Sequence, residues 1–75
     1  MSADNNLVKM ANQIGSFFET MPNREEAVTD IAGHIKRFWE PRMRRALLAY
    51  FDQHGGADLK EIVLEALRSQ REAIL

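Results

Sequence analysis

Apolar residues recur at steps of three and four along most of the chain, with polar residues between them. Steps of this size place side chains on one face of an α-helix, and the alternation typical of strands is not seen. The pattern predicts an all-α fold, a small single-domain bundle of three to four short amphipathic helices. The four predicted apolar faces are Leu7, Met10, Ala11, Ile14, Phe17 and Phe18; Ala27, Val28, Ile31, Ala32, Ile35, Phe38 and Trp39; Met43, Ala46, Leu47, Tyr50 and Phe51; and Leu59, Ile62, Val63, Ala66 and Leu67.

Boundary residues separate the first three helices. Pro22 ends the first, because the residue before a proline is pushed out of the helical region. Asn23 is a good N-cap for the second, with Glu26 three residues later as in a capping box. Pro41 suits the first position of the third helix, where an amide hydrogen would have no partner.

The fourth helix is predicted from a cap and from the end of its apolar face. The segment "HGG", residues 54–56, ends the third helix, with glycine available for a left-handed C-cap. Asp58 is the expected N-cap of the fourth helix. Gln70 falls in the middle of the apolar face, so core contacts are expected to end near Leu67 and the tail, about 69–75, is expected to fray.

The stretch "RFWEPRMRR", residues 37–45, forms the predicted corner between the second and third helices. Trp39, the only tryptophan, ends one apolar face and Met43 begins the next. Such a short connection forces the two helices to pack closely. Trp39 is therefore predicted to be largely buried at this corner.

Length and composition limit the classes of protein to which this chain can belong. Seventy-five residues predict one domain, 1–75, with a stability of a few kcal/mol. The chain has no cysteine, which excludes disulfides and cysteine-based metal sites. No apolar run approaches the ~18 residues of a membrane span, so we expect a cytoplasmic protein without a membrane partner. Ten basic and eleven acidic residues give a net charge of −1, which does not favour nucleic-acid binding.

Catalytic and metal-binding patterns are weak. Asp30 and His34 are four residues apart on one helical face, but a catalytic zinc site usually needs a third protein ligand. His34 is therefore interpreted as a half-exposed residue at a helix edge. The serines have no base and acid at a suitable spacing. We expect no enzyme activity, no metal and no cofactor in this chain.

Four arginines surround Trp39, and they have three interpretations: a solvated helix face, a surface that binds another protein, or a contact to nucleic acid. Leu48 falls about 140° from Met43 around the third helix, outside the predicted core face. Its neighbours on that side are Arg44 and Arg45. Arginine is enriched in protein interfaces, so Arg44, Arg45 and Leu48 are the predicted partner-binding residues. The alternative function is a small helical regulator that binds nucleic acid through these arginines.

Two blocks carry a family resemblance, "KMANQI" at 9–14 and "HIKRFWEPRMR" at 34–44. With the residues between them, the chain resembles the delta subunit of bacterial NAD-dependent, molybdenum-containing formate dehydrogenases. The resemblance covers roughly two-thirds of the chain and contains no catalytic motif.

The resemblance implies a non-catalytic accessory subunit of a large cytoplasmic complex. In that family, formate is oxidised at a molybdenum cofactor in the alpha subunit, and electrons pass through other subunits to NAD. The delta subunit is expected to support assembly, cofactor loading or stability, with the catalytic alpha subunit as its partner. Self-association is left open.

Overall fold

The computed structural model describes residues 3–75, with side chains from residue 6 onwards. Five helices follow one another in this part of the chain, and it contains no strand, so the all-α prediction is confirmed. The helices are α1 (Ala3–Phe18), α2 (Arg24–Phe38), α3 (Pro41–His54), α4 (Glu61–Ser69) and the short α5 (Arg71–Ile74). Four of them were predicted, and α5 was not. Along the same residues, no helix is long and apolar enough to cross a membrane.

The predicted signals at the ends of α2 and α3 are confirmed. The Asn23 side chain accepts a hydrogen bond from the Glu26 amide at 2.8 Å, which satisfies one free donor of the first turn. Pro41 is the first residue of α3. Gly55 caps the end of α3 in the left-handed conformation, with φ of 74°, a conformation that costs glycine least.

The start of α4 differs from the prediction. Asp58 is not its N-cap; the helix begins at Glu61, and Lys60 is the N-cap residue without a side-chain capping bond. Asn12 of α1 supplies the missing contact instead. Its side-chain oxygen accepts from the Lys60 amide at 2.9 Å, and its nitrogen donates to the Asp58 carbonyl at 2.9 Å. This non-local cap fixes α1 against the start of α4.

Most of the core comes from one face of each of the first four helices, with further contributions from Leu59, just before α4, and from Ile74 of α5. Trp39 is 5% exposed, which confirms its predicted burial at the corner. It also ends α2, and its amide donates to the Ile35 carbonyl at 3.0 Å. The buried apolar residues are Leu7, Val8, Ala11, Ala27, Val28, Ile31, Ala32, Ile35, Trp39, Leu47, Leu48, Leu59, Ile62, Val63, Ala66, Leu67 and Ile74.

The buried face of α1 is rotated away from the predicted one. Val8 is buried, whereas Met10 is 37% and Phe17 is 72% exposed, so the prediction that the latter two are core residues is wrong. Gly15 explains the rotation. A Cβ at this glycine would lie 2.7 Å from the Val63 side chain, so α1 can approach α4 closely only without one.

The C-terminal segment packs on the core, so the prediction that core contacts end near Leu67 is wrong. Ile74 is fully buried. Arg71 donates two hydrogen bonds to the Asp52 carboxylate of α3, at 3.1 and 2.6 Å. The hydrogen bond to Asp52 raises the pKa of the Arg71 guanidinium above its ordinary value. Gln70 is the C-cap of α4, not a residue within its apolar face, and the chain turns there so that α5 packs against α2.

Candidate partner-binding surface

The three predicted partner-binding residues do not share an exposed surface. Arg44 is 9% exposed and Leu48 is 2% exposed, so the premise that they lie away from the core is wrong. Arg45 is exposed as expected. Only Arg45 is therefore accessible to another molecule without a rearrangement of the bundle.

Arg44 has an internal structural role. Its guanidinium donates to the Trp39 carbonyl at 2.8 Å and to the Lys36 carbonyl at 3.3 Å, both at the C-terminal end of α2. A longer contact of 3.4 Å reaches the Leu75 carbonyl. The last carbonyls of a helix have no intrahelical partner, and a positive charge near them is favourable. Arg44 thus joins the end of α2 to α3 and to the C-terminal turn, and these nitrogens are not available to a phosphate or a partner.

The C-terminal segment contacts α3 on both sides of Leu48. Arg44, Leu48 and Asp52 are spaced by four residues and therefore share one face of α3. Arg44 reaches Leu75, and Asp52 binds Arg71. Leu48 lies between these two contacts on the same face of α3 and is buried.

An exposed cluster of aromatic rings lies instead where the ends of α1 and α2 meet. We define the aromatic cluster as Phe17, Phe18, His34 and Phe38. The ring of Phe18 lies 5.0 Å from that of Phe17 and 6.2 Å from that of His34, and His34 lies 4.7 Å from Phe38. Phe17 is 72% and Phe38 is 68% exposed. Two of the four phenylalanines of the chain are thus mostly in solvent and connected through two half-buried rings.

A shallow groove of about 200 Å³ runs beside this cluster, and we call it the Gly33 groove. Phe18 and Phe38 contribute its apolar surface, and Gly33 also lines it. Asp30 and Arg37 also line the groove, and neither forms an ion pair within residues 6–75. Seven residues of α-helix separate the backbone positions of Asp30 and Arg37 by about 10 Å along the axis. The groove therefore combines apolar walls with one free charge of each sign.

Gly33 has no structural explanation within the chain. A Cβ built on it meets nothing within 4 Å, and its φ is not positive. Glycine inside a helix costs about 1 kcal/mol relative to alanine. Gly15, the other glycine inside a long helix, is needed for close packing of α1 on α4. Gly33 thus lowers the stability of an exposed helical face without a compensating internal contact.

His34 matches the predicted half-exposed position at a helix edge. Its ring contacts Phe18 and Phe38. Among the described residues, no group of three histidine or acidic side chains could hold a metal ion. The role of His34 that the contacts show is to connect the phenylalanines of the two helices.

A second, polar cleft of about 460 Å³ lies between the start of α2 and the end of α4. Arg24 and Glu65 form an ion pair of 2.6 Å in its wall. The Ser69 hydroxyl donates to the Glu65 carbonyl of its own helix at 2.7 Å, which is an ordinary helical contact. This cleft lacks the large exposed apolar side chains that make the aromatic cluster a better candidate for protein binding.

A comparison with protein families supplies the decisive observation. The family model described as NADH-dependant formate dehydrogenase delta subunit FdsD matches residues 6–67. The chain belongs to this delta-subunit family. Searches of curated proteins and of solved structures found no match.

The match to the delta-subunit family includes both halves of the candidate surface. The aromatic cluster lies between residues 17 and 38, and the Gly33 groove lies between residues 18 and 38, inside the matched range. The α5 helix, whose Arg71 pairs with Asp52 of α3, lies outside it. Sequence reasoning missed the cluster because Phe17 and Phe38 continue the apolar periodicity and were assigned to the core. Their position was a signal of exposure. Each phenylalanine lies in the last turn of its helix, where the neighbouring helices no longer cover it.

Proposed function

We propose that the chain is a non-catalytic accessory subunit of a cytoplasmic, NAD-dependent, molybdenum-containing formate dehydrogenase. Its direct partner is the catalytic alpha subunit, and its role is to support assembly, cofactor loading or stability of that subunit. The observation that carries this proposal is the family match over residues 6–67. The exposed aromatic cluster supports it, because a chain of this size has little reason to leave two clustered phenylalanines in water without a partner.

The aromatic cluster is the surface through which we propose that the alpha subunit is bound. Large aromatic side chains dominate the energetics of many interfaces. Phe17 and Phe38 lie at helix ends, where their rings contact those of Phe18 and His34. A prearranged apolar surface loses little side-chain entropy on binding, which favours affinity.

Arg45 stays a proposed secondary contact. It is exposed on α3, and arginine can form two parallel hydrogen bonds to a carboxylate. We expect Arg45→Glu to weaken association with the complex less than loss of Phe38 does, since exposed charges at a rim contribute little. Retention of each full-length variant by the co-expressed complex measures the difference. If the complex loses the Arg45→Glu variant as completely as it loses Phe38→Ala, the main contact lies on α3 instead.

Nucleic-acid binding is not favoured by the surface. Arg44, one of the four arginines around Trp39, is buried and bonded to backbone carbonyls. The net charge of −1 gives no general attraction to phosphate. A salt-dependent shift of duplex DNA by the purified chain would overturn this assignment.

The test of the proposed function is purification of the untagged complex from cells with and without this chain. The alpha subunit, the molybdenum content and formate-dependent NAD reduction are measured in both preparations. We expect less molybdenum or a less stable alpha subunit without the chain, and restoration when the chain is supplied. Equal yield, metal content, thermal stability and activity in both preparations would refute an accessory role.

A further inference from the structure

We propose that the Gly33 groove receives an apolar segment of the catalytic subunit that has a basic residue at one end and an acidic residue at the other. This inference rests on the proposed function, and it adds the binding site and the chemistry of the segment. Three independent features of the groove carry it: an unexplained glycine, two aromatic walls of which Phe38 is mostly exposed, and two unpaired charges.

The glycine indicates close approach from outside the chain. Gly15 is a helical glycine that packing requires, because the Val63 side chain occupies the space that a Cβ would take. Gly33 makes room for nothing in this chain, although alanine there would favour the helix. A partner lying against the bare backbone would explain the missing side chain in the same way as at Gly15.

The walls and charges define the partner segment. Phe18 and Phe38 line a depression of about 200 Å³ and offer it apolar surface, and the depression has room for a large apolar side chain. Asp30 would pair with a basic residue and Arg37 with an acidic residue, about 10 Å apart along α2. Unpaired charges of opposite sign at two positions along the groove set the orientation of the segment and reject the reverse one.

The central experiment uses substitutions that separate stability from binding. In the isolated full-length chain, Gly33→Ala and Gly33→Leu should both raise Tm, by about 4–8 °C, because each replaces glycine with a better helix former. For binding to a complex purified without this chain, Gly33→Leu should raise Kd more than about tenfold, because its side chain fills the groove. Gly33→Ala should raise Kd less, since a methyl group is small.

A matched control adds the same leucine elsewhere. Ala73 is exposed on α5, outside the part of the chain that matches the family, so Ala73→Leu should bind like the wild type. Phe38→Ala provides a second variant that removes a groove wall instead of filling the groove. It should also raise Kd more than about tenfold, because it removes a large exposed apolar contact from a cluster of aromatic anchors.

The outcomes distinguish this inference from the proposed function. If the wild-type chain binds the complex and Gly33→Leu binds equally well, the groove is not the site and the inference is overturned. A lower Tm for Gly33→Leu would also overturn it, because the glycine would then be needed by the chain itself. If the wild-type chain does not bind the complex at all, the result refutes the proposed function, on which this inference rests.

A photoreactive benzoylphenylalanine at position 38, introduced into the co-expressed chain, identifies the occupant. We expect a crosslink to the catalytic subunit, to a segment with an apolar residue between a basic and an acidic one. A crosslink to a second copy of this chain, to a different subunit, or to none would overturn the proposal. Arg37→Glu should raise Kd, and a compensating acidic-to-basic change in the crosslinked segment should restore it.

Discussion

Neighbouring aromatic residues at the end of α2 have opposite environments. Trp39 is 5% exposed and Phe38 is 68% exposed. We expect Trp39→Ala to lower the free energy of unfolding by about 3–5 kcal/mol, since it leaves a cavity in the core. Phe38→Ala should change it by less than about 0.5 kcal/mol, as exposed substitutions usually do. Urea unfolding followed by circular dichroism measures both, and equal effects would contradict the assignment of one residue to the core and the other to the surface.

The adjacent arginines Arg44 and Arg45 form a similar pair. Arg44→Met leaves the Trp39 and Lys36 carbonyls without their buried donor, which should cost about 1–3 kcal/mol. Arg45→Met changes an exposed residue and should be nearly neutral. Thermal melts of the two variants provide the comparison. A neutral Arg44→Met would mean that the arginine does not fix the α2–α3 corner.

Local chemistry accounts for the residues that sequence reasoning placed correctly. The Asn23 cap, the Pro41 start and the Gly55 end depend on neighbours a few residues away, so their sequence signals are sufficient. The environments of Arg44 and Leu48 depend on where the C-terminal segment returns, some thirty residues later. Periodicity along one helix contains no information about that return, and their burial could not be predicted from it.

At the scale of elements, α5 is expected to be required for stability. Ile74 is fully buried and the Arg71–Asp52 ion pair joins α5 to α3. Replacement of Ile74 with alanine should cost about 2–5 kcal/mol, as for other buried isoleucines. Leu75→Ala, at a residue that is 53% exposed, is the matched control and should cost much less. Thermal melting of both variants decides the point; if Ile74→Ala melts like the wild type, the C-terminal segment does not contribute to the core.

The contact between α1 and the start of α4 depends on one side chain. Asn12 accepts from the Lys60 amide and donates to the Asp58 carbonyl. Asn12→Asp keeps the acceptor but loses the donor, whereas Asn12→Ala loses both. We therefore expect a loss of about 1 kcal/mol for alanine and a smaller loss for aspartate. Hydrogen exchange at the Lys60 amide should be faster in Asn12→Ala than in Asn12→Asp, and the reverse order would contradict a capping role.

For the whole molecule, four of the five helices in residues 3–75 and most of the core followed from the sequence, but α5 and the proposed surface did not. Phe17 and Phe38 have the spacing of core residues, and their exposure results from the rotation of α1 at Gly15 and from the position of both residues at helix ends. The charge of the arginines around Trp39 indicated a binding surface, yet one of them, Arg44, is buried and has a structural role. One candidate surface is aromatic and the other carries an exposed arginine, so an experiment that responds to charge can distinguish them.

Salt dependence of association distinguishes the aromatic cluster from the arginine-bearing face of α3. Burial of apolar surface is little weakened by salt, whereas attraction between exposed charges is screened over about 10 Å at 0.1 M ionic strength. If the aromatic cluster dominates, raising sodium chloride from about 0.05 to about 0.5 M should change Kd by less than about fivefold, with a negative heat-capacity change on binding. Isothermal titration calorimetry of the full-length chain with the complex lacking it measures both quantities.

Ala49→Leu, at an exposed position one turn from Arg45, is the control and should leave both the salt dependence and the heat-capacity change unchanged. A Kd that rises more than about a hundredfold with salt, together with loss of binding in Ala49→Leu, would place the interface on α3 instead.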